Sequence, residues 1–293
     1  MGVLMKNNVF VTVCPLCHKN EIIKVADLKK YILGRCKNCS CYINLSFNES
    51  KIQDIFGATY YNNVQEAAFS AGKTGGSDSS LPIYEKGLAE VEKILARKGT
   101  LLDVGAAYGS FVKFSLSKGW IARGIEISEY SSALAREQLG IPVETGTVLD
   151  LVNSQAKFDV ITLWDVIEHV YDLKETLESI YLLLNKNGLL LISTDNFDSL
   201  ITDIGFTLKS TIGWNWPLRR FLIPQNSVYL TPSTLFLASE KIGYSLQLLQ
   251  GIDYPIDKIN LSFPQKLLLR LLYGMGNKVN RQSQFLCILR KEN

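Results

Sequence analysis

The sequence predicts an α/β fold: a doubly wound sheet with an antiparallel hairpin at its end, preceded by a small cysteine-bearing module. Three observations predict it. From residue 99 onward, strand-like and helix-like segments alternate, the pattern of a parallel sheet covered on both faces. A loop bounded by glycines, Gly105-Ala106-Ala107-Tyr108-Gly109, joins the first of those strands to the first helix. Five of the six cysteines crowd into the first 41 residues.

Composition narrows the class. With 47% hydrophobic and 20% charged residues among 293, the chain is globular and not disordered. A net charge of +3 is too small for a protein that coats nucleic acid. No run reaches the roughly 18 apolar residues of a membrane span. The N-terminus lacks the apolar core and cleavage site of a signal peptide, so a cytoplasmic protein is expected.

Residues 1–47 are expected to form a zinc ribbon. Cys14-Pro-Leu-Cys17 and Cys36-Lys-Asn-Cys39 are two C-x-x-C knuckles separated by eighteen residues. Two such turns aim four thiolates at one tetrahedral Zn²⁺, and four protein ligands leave no open position, so the metal is structural. Strands are predicted at Glu21–Val25 and Tyr31–Leu33 between the knuckles. His18 and Cys41 are read as bystanders, and Cys287 as a buried thiol in the last strand.

Residues 48–98 read as a linker and N-terminal helices. They contain Ile52–Phe56, Tyr60–Tyr61 and a flexible Gly/Ser run around Gly72-Lys73-Thr74, which lacks the rest of a phosphate loop. An amphipathic helix follows at Ile83–Arg97.

The alternating core occupies 99–293. Strands are predicted at Leu101–Val104, Ile121–Ile127, Val143–Thr145, Phe158–Leu163 and Leu189–Ser193, with helices at Ser110–Ser117, Ser131–Leu139 and Leu173–Leu184. The end of the chain adds a helix at Thr234–Ile242 and strands at Ser245–Ile252 and Gln284–Arg290. In such a Rossmann-like sheet, ligands sit at the carboxyl ends of the strands. The chemistry is therefore expected at Asp103–Gly109, Glu126, Thr145–Val148, Trp164–His169 and Thr194–Asn196. Glu126 ends the second core strand, where a carboxylate can accept two ribose hydroxyls. Asp103 stands just before the first glycine, a better position for a ligand ammonium than for a pyrophosphate.

Leu101-Leu-Asp-Val-Gly-Ala-Ala-Tyr-Gly109, Gly124-Ile-Glu-Ile-Ser128, Phe158-Asp-Val-Ile-Thr-Leu-Trp-Asp-Val-Ile-Glu-His-Val170 and Leu184–Asn196 resemble the successive motifs of class I S-adenosylmethionine (SAM)-dependent methyltransferases, in the ubiquinone-biosynthesis-like and sugar-methyltransferase-like groups. Those groups often carry an N-terminal cysteine ribbon. The resemblance implies that Gly105, Ala106, Ala107 and Gly109 cradle the methionine part of SAM, with Asp103 helping to hold it. It implies that Glu126 binds the ribose, that Ile127, Thr147 and Val148 flank the adenine, and that Trp164 and Asp165 line the methionine end. His169 is a candidate base or acceptor-orienting group beside Asp165; the alternative is that Glu168-His169 caps the next helix.

Residues 195–231 are the expected acceptor lid. Trp214, Trp216 and Tyr229 suit a stacking wall, and Arg219 and Arg220 suit a phosphate or carboxylate; packing inside the lid is the alternative. Sugar C-methyltransferases resembling this chain draw a base from a Glu-His pair here. This chain has Gln225-Asn226, which favours transfer to oxygen or nitrogen. Residues 254–282 form a basic, leucine-rich insertion within a tail of eleven Lys/Arg against five Asp/Glu over 203–293. Its readings are an ordinary docked helix, a protein interface, or contact with a membrane surface or lipid-linked acceptor.

The expected activity is thus SAM-dependent O- or N-methylation of a small-molecule or glycan acceptor. The alternatives are a nucleotide-cofactor oxidoreductase, a methyltransferase whose ribbon captures RNA, and a catalytically inactive scaffold. The ribbon lacks a basic-aromatic stripe, so nucleic acid is not the expected partner. Oligomeric state is not legible.

Overall fold

The fold was obtained as a computed structural model that describes residues 9–28, 31–48, 80–214, 217–218, 222–256, 259 and 261–292. Tyr60–Tyr61, the glycine run at 72–74, Trp216, Arg219 and Arg220 lie outside the described residues.

Two sheets are built. The smaller one contains β1 (Ile22–Asp27), β2 (Ile32–Cys36) and β3 (Tyr42–Asn44), all antiparallel. α1 (Leu81–Leu95) follows with Pro82 in its first turn, and it buries Gly87, Leu88 and Val91. The larger sheet then begins: β4 (Thr100–Val104), α2 (Ser110–Ser117), β5 (Ile121–Glu126), α3 (Glu129–Leu139), β6 (Val143–Thr145), a 3₁₀ turn over Val148–Ser154, β7 (Phe158–Trp164), α4 (Leu173–Leu183) and β8 (Leu184–Asp195). α5 (Leu200–Ile212), β9 (Val228–Tyr229), α6 (Pro232–Ile242), β10 (Tyr244–Ile252), α7 (Phe263–Lys278) and β11 (Gln284–Lys291) complete the chain.

The seven-stranded order is β10-β11-β8-β7-β4-β5-β6. β4 to β8 run parallel, and β11 enters antiparallel between β8 and β10. β4 pairs with β5 on one side and β7 on the other, so chain direction across the sheet reverses there. The carboxyl ends of these three strands frame the crevice where ligands bind in open α/β sheets.

β7 and β8 explain why the sheet is deep. Phe158 to Leu163 are all buried, as are Gly188 to Thr194, the continuous burial of a strand covered on both faces. Several helices start with a side-chain cap. Ser128 accepts from Ser131 N to start α3, Asp172 from Glu175 N to start α4, and Thr231 from Thr234 N to start α6.

The predicted core elements recur with ends shifted by a few residues. Two features were not predicted. α5 occupies about a third of the expected lid, 195–231. β9, two residues long, pairs with β3, so the small sheet runs β1-β2-β3-β9 and draws its last strand from the far side of the chain.

Candidate active site

The cofactor crevice is built by backbone first. Gly105, Ala107 and Gly109 have φ of 71°, 49° and 77°. The loop after β4 therefore alternates hand, which turns successive N–H groups to one side. Gly105 is required there because a Cβ would strike the Val166 side chain, and at Gly109 a Cβ would meet Ile141 Cγ2 at 2.6 Å. Gly105 N and Ala106 N donate to Ile125 O at 2.8 and 3.1 Å, which ties the loop to the end of β5.

Glu126 is buried at that strand end. Its Oε2 accepts Ala107 N and its Oε1 accepts Ser128 N, both at 2.9 Å. Each carboxylate oxygen keeps further acceptor capacity for a diol. Asp103 lies beneath the loop, fully buried, with Oδ1 accepting from Thr162 Oγ1 at 2.7 Å. Burial pushes its carboxyl up to about 8, and the neighbouring Glu126 charge adds to that. An arriving ammonium would reverse the penalty. Ile127 is half-buried and Val148 buried. Thr147 is occupied differently from the expectation: its N and Oγ1 both donate to Asp150 Oδ2, at 2.7 and 2.8 Å, in a capping box that starts the 3₁₀ turn.

Trp164 packs edge-on to Tyr84 and tilted against Phe111, each with ring centroids 5.0 Å apart. Gly87 of α1 makes room for it, since a Cβ there would meet Trp164 Cη2 at 2.6 Å. Trp164 is thus an aromatic core residue as well as a wall. Its buried Nε1 has no protein partner, a donor left over for a ligand or water. With Asp103 and Glu126, this donor suits a ligand with ammonium and ribose hydroxyls, while the N–H groups of Gly105, Ala106, Ala107 and Gly109 are bonded within the protein.

A second space opens beside the crevice. A cavity of about 370 Å³ is lined by Glu168, Asp195, Asn226, Tyr229, Tyr254 and Tyr273 together with apolar side chains from α5 and the 222–230 segment. Asp165 (φ 53°) reaches it through Gln284, whose Nε2 donates to Asp165 Oδ1 at 3.1 Å and to Asp195 Oδ1 at 3.2 Å. Glu168 Oε2 accepts from Thr194 Oγ1 at 2.7 Å. Burial, reinforced by Asp165 and Asp195, holds the Glu168 carboxyl well above the usual range. Burial also raises Asp195, to about 6, while the bond from Gln284 holds it down. Asn226 is buried beside Asp195, and its amide, like that of Gln284, holds the Asp195 carboxyl down.

The sequence reading placed chemistry at Trp164–His169 and Thr194–Asn196 but assigned no role to Glu168, Asp195 or Gln284 in a shared cavity. His169 is not brought into the cavity: its Nδ1 lies 3.4 Å from Gln225 O, and burial lowers its imidazole to about 4. Glu168, one residue earlier, faces the cavity instead. Trp214 is about half exposed at the end of α5 and lines no part of this cavity, whereas Tyr229 does.

The four predicted ligands converge in the small sheet. Cys14, Cys17, Cys36 and Cys39 place their Sγ atoms within 4.8 Å of one another. Cys14 and Cys39 sulfurs are 3.5 Å apart, and those of Cys17 and Cys36 3.6 Å. Without a cation, the bond to Cys14 and then burial hold the Cys39 thiol far above its normal range. Four converging sulfurs fit a tetrahedral thiolate site for Zn²⁺. Cys41 stands outside the four, donating to Tyr42 O. His18 ties the module to the core instead, with Nε2 at 3.0 Å from Asp172 Oδ1.

Residues 82–247 match the methyltransferase domain family. The chain belongs to that family. It is a class I SAM-dependent methyltransferase, an enzyme with the sheet order just described. The ubiquinone biosynthesis O-methyltransferase of Histophilus somni is 28% identical over 166 residues, covering 52% of this chain and 70% of that protein. The protein of the same name from Coxiella burnetii is 26% identical over 177 residues, covering 57% and 73%. Two solved structures share the fold. A SAM-dependent methyltransferase from Archaeoglobus fulgidus is 17% identical with a TM-score of 0.51, covering 77% of this chain and 99% of that one. Magnesium protoporphyrin IX methyltransferase from Synechocystis, with bound S-adenosylhomocysteine, is 14% identical with a TM-score of 0.52, covering 84% and 100%. For this methyltransferase, Glu126→Ala is expected to weaken SAM by about 1–3 kcal/mol, since it removes a buried acceptor and releases two loop N–H groups. Calorimetry with unchanged affinity would remove Glu126 from the site.

Proposed function

We propose that this methyltransferase moves the methyl group of SAM to a hydroxyl of a small, partly apolar acceptor, such as a phenol or a lipid-linked sugar. The observation that carries the reading is the cavity beside the crevice, with its aromatic and apolar wall and two buried carboxyl groups. Bound SAM supplies an electrophilic methyl on a cationic sulfur. The chain supplies position and proton chemistry. Tyr229, Tyr254 and Tyr273 give the acceptor an aromatic wall, and the Asn226 amide on that wall offers polar atoms to orient it. Asp195, ionised near neutral pH, takes the hydroxyl proton as the C–O bond forms and the S–C bond breaks. Glu168 keeps its proton and leaves Asp195 as the base. Two carboxyls with separated pKa values are the usual sign of such a division.

The ubiquinone biosynthesis O-methyltransferases support oxygen as the methylated atom. An amine acceptor is the second reading, since the same carboxylates would hold an ammonium.

Transfer of label from SAM into a cell extract, followed by identification of the product, tests the proposal. A labelled methyl ether on an amphiphilic small molecule is expected. Label confined to RNA or protein would overturn it.

A further inference from the structure

α7 carries an apolar face that nothing among the described residues covers. Its inward face is conventional: Leu269, Tyr273 and Gly276 are buried, and they pack with Ile201 of α5 and with Ile259. The opposite face should be polar in an ordinary docked helix. It carries Phe263, Leu267, Leu271 and Met275 in a row at four-residue spacing, joined by Leu268. Their exposures run from 50% at Leu267 to 77% at Phe263. Val279, just past the helix end, continues the row at 55%.

The charges on the helix itself are all of one sign, while Asp253 reaches it from outside and accepts from Asn277 Nδ2 at 3.0 Å. The helix contains Lys266, Arg270 and Lys278 and no Asp or Glu. Over 254–282 the sequence has five Lys/Arg and a single acid, Asp257. An apolar row bordered by cations is complementary to a bilayer whose head groups are anionic and whose interior is hydrocarbon. A second copy of the chain is a poor occupant. A 16-residue helix is about 24 Å long, so a face about 10 Å wide offers roughly 240 Å², against about 800 Å² per partner in a stable interface. Pairing two such faces would also bring their cations together.

We infer that α7 docks this protein on an anionic lipid surface through Phe263, Leu267, Leu268, Leu271 and Met275. The helix lies in the interface and does not cross it: no helix among the described residues is long and apolar enough to span a membrane. Tyr273, on the inward face, lines the cavity assigned to the acceptor, so on that reading a membrane-borne acceptor is delivered next to its site.

Co-sedimentation of the full chain with vesicles tests the surface without any methyl transfer, so this inference and the acceptor reading fail separately. Binding to vesicles of equal parts phosphatidylcholine and phosphatidylglycerol should exceed binding to pure phosphatidylcholine by about tenfold or more, given the screened attraction of several cations. The double substitution Leu267→Glu and Leu271→Glu should abolish sedimentation while S-adenosylhomocysteine affinity, read by calorimetry, stays unchanged. Lys266→Gln with Arg270→Gln should remove the preference for anionic vesicles. Absence of binding to the anionic vesicles overturns the inference. So does a dimer in sedimentation velocity that the leucine substitutions dissolve, found without vesicle binding.

Discussion

Cys14→Ser or Cys36→Ser is expected to cost the protein its zinc, its small sheet and its methyl transfer, while SAM affinity stays within about twofold, as for separate, weakly coupled sites. The reason lies in what the ribbon touches. Tyr31 OH donates to Leu222 O at 3.0 Å, and Asn44 Nδ2 donates to Pro224 O and Asn226 O at 2.9 and 3.1 Å. β3 pairs with β9 through Tyr42↔Tyr229 and Ile43↔Val228. Leu222, Asn226, Val228 and Tyr229 are all cavity wall. The ribbon therefore holds one side of the acceptor cavity.

The size of the effect follows from the metal. Structural zinc contributes about 10–16 kcal/mol to folding its module, comparable to the total stability of a domain at about 5–15 kcal/mol. The ribbon's apolar residues, Val11, Leu16, Ile43 and Phe47 among them, share one cluster with Ile167, Leu173 and Leu177 of the larger domain. Loss of the metal should thus loosen the cavity wall as well as the knuckles. Stoichiometric zinc by elemental analysis, and its disappearance with activity on chelation, are the checks. A freshly purified, folded and active protein with substoichiometric metal would contradict the assignment.

The small sheet also marks where sequence reasoning stops. The C-x-x-C pairs are local signals, and so are the long apolar strands and the loop at Gly105–Gly109. They were legible because each needs only its neighbours to be interpreted. β3 and β9 have three and two residues, and β9 becomes a strand only by pairing with β3, Tyr42 lying 187 positions from Tyr229. No periodicity can be read in two residues. α5 is a different case. Ser199 caps it by accepting from Thr202 N, and Gly213 ends it with φ 70°. Both are ordinary start and stop signals, obscured by the β-branched Ile201, Thr202, Ile204 and Thr207 between them. The site divides in the same way. Asp103, Glu126 and the glycines stand at strand ends in fixed order and were found. The coupling of Glu168 to Asp195, and the bridge from Asp195 to Asp165 through Gln284, need β11 inserted beside β8, an arrangement made by a strand about ninety residues away.

That bridge makes Asp195→Asn the sharpest test of the chemistry. The substitution should lower kcat by about 10²–10⁴, the usual loss when a general base is removed, with KM for SAM unchanged. The wild-type rate should rise with pH through about 6, where Asp195 ionises, and the Asn variant should lose that limb. Stability should move the other way. A carboxyl whose folded pKa is raised holds its proton where the unfolded chain has released it, so stability falls as pH rises from about 4, the ordinary carboxylate value, to about 6 and is level above that. At pH 8 the ionised Asp195 is a buried charge, and an uncharged Asn of the same shape should raise Tm. Glu168→Gln separates the two acids. Burial and the neighbouring Asp165 and Asp195 charges favour the protonated Glu168 carboxyl, so its amide should keep most of the rate and the same pH limb. A merely structural Asp195 would give the reverse pattern, a lower Tm in Asp195→Asn with kcat and the pH profile intact. The opposite movement of rate and stability at one residue is what an acid buried for use, against its own solvation, must show.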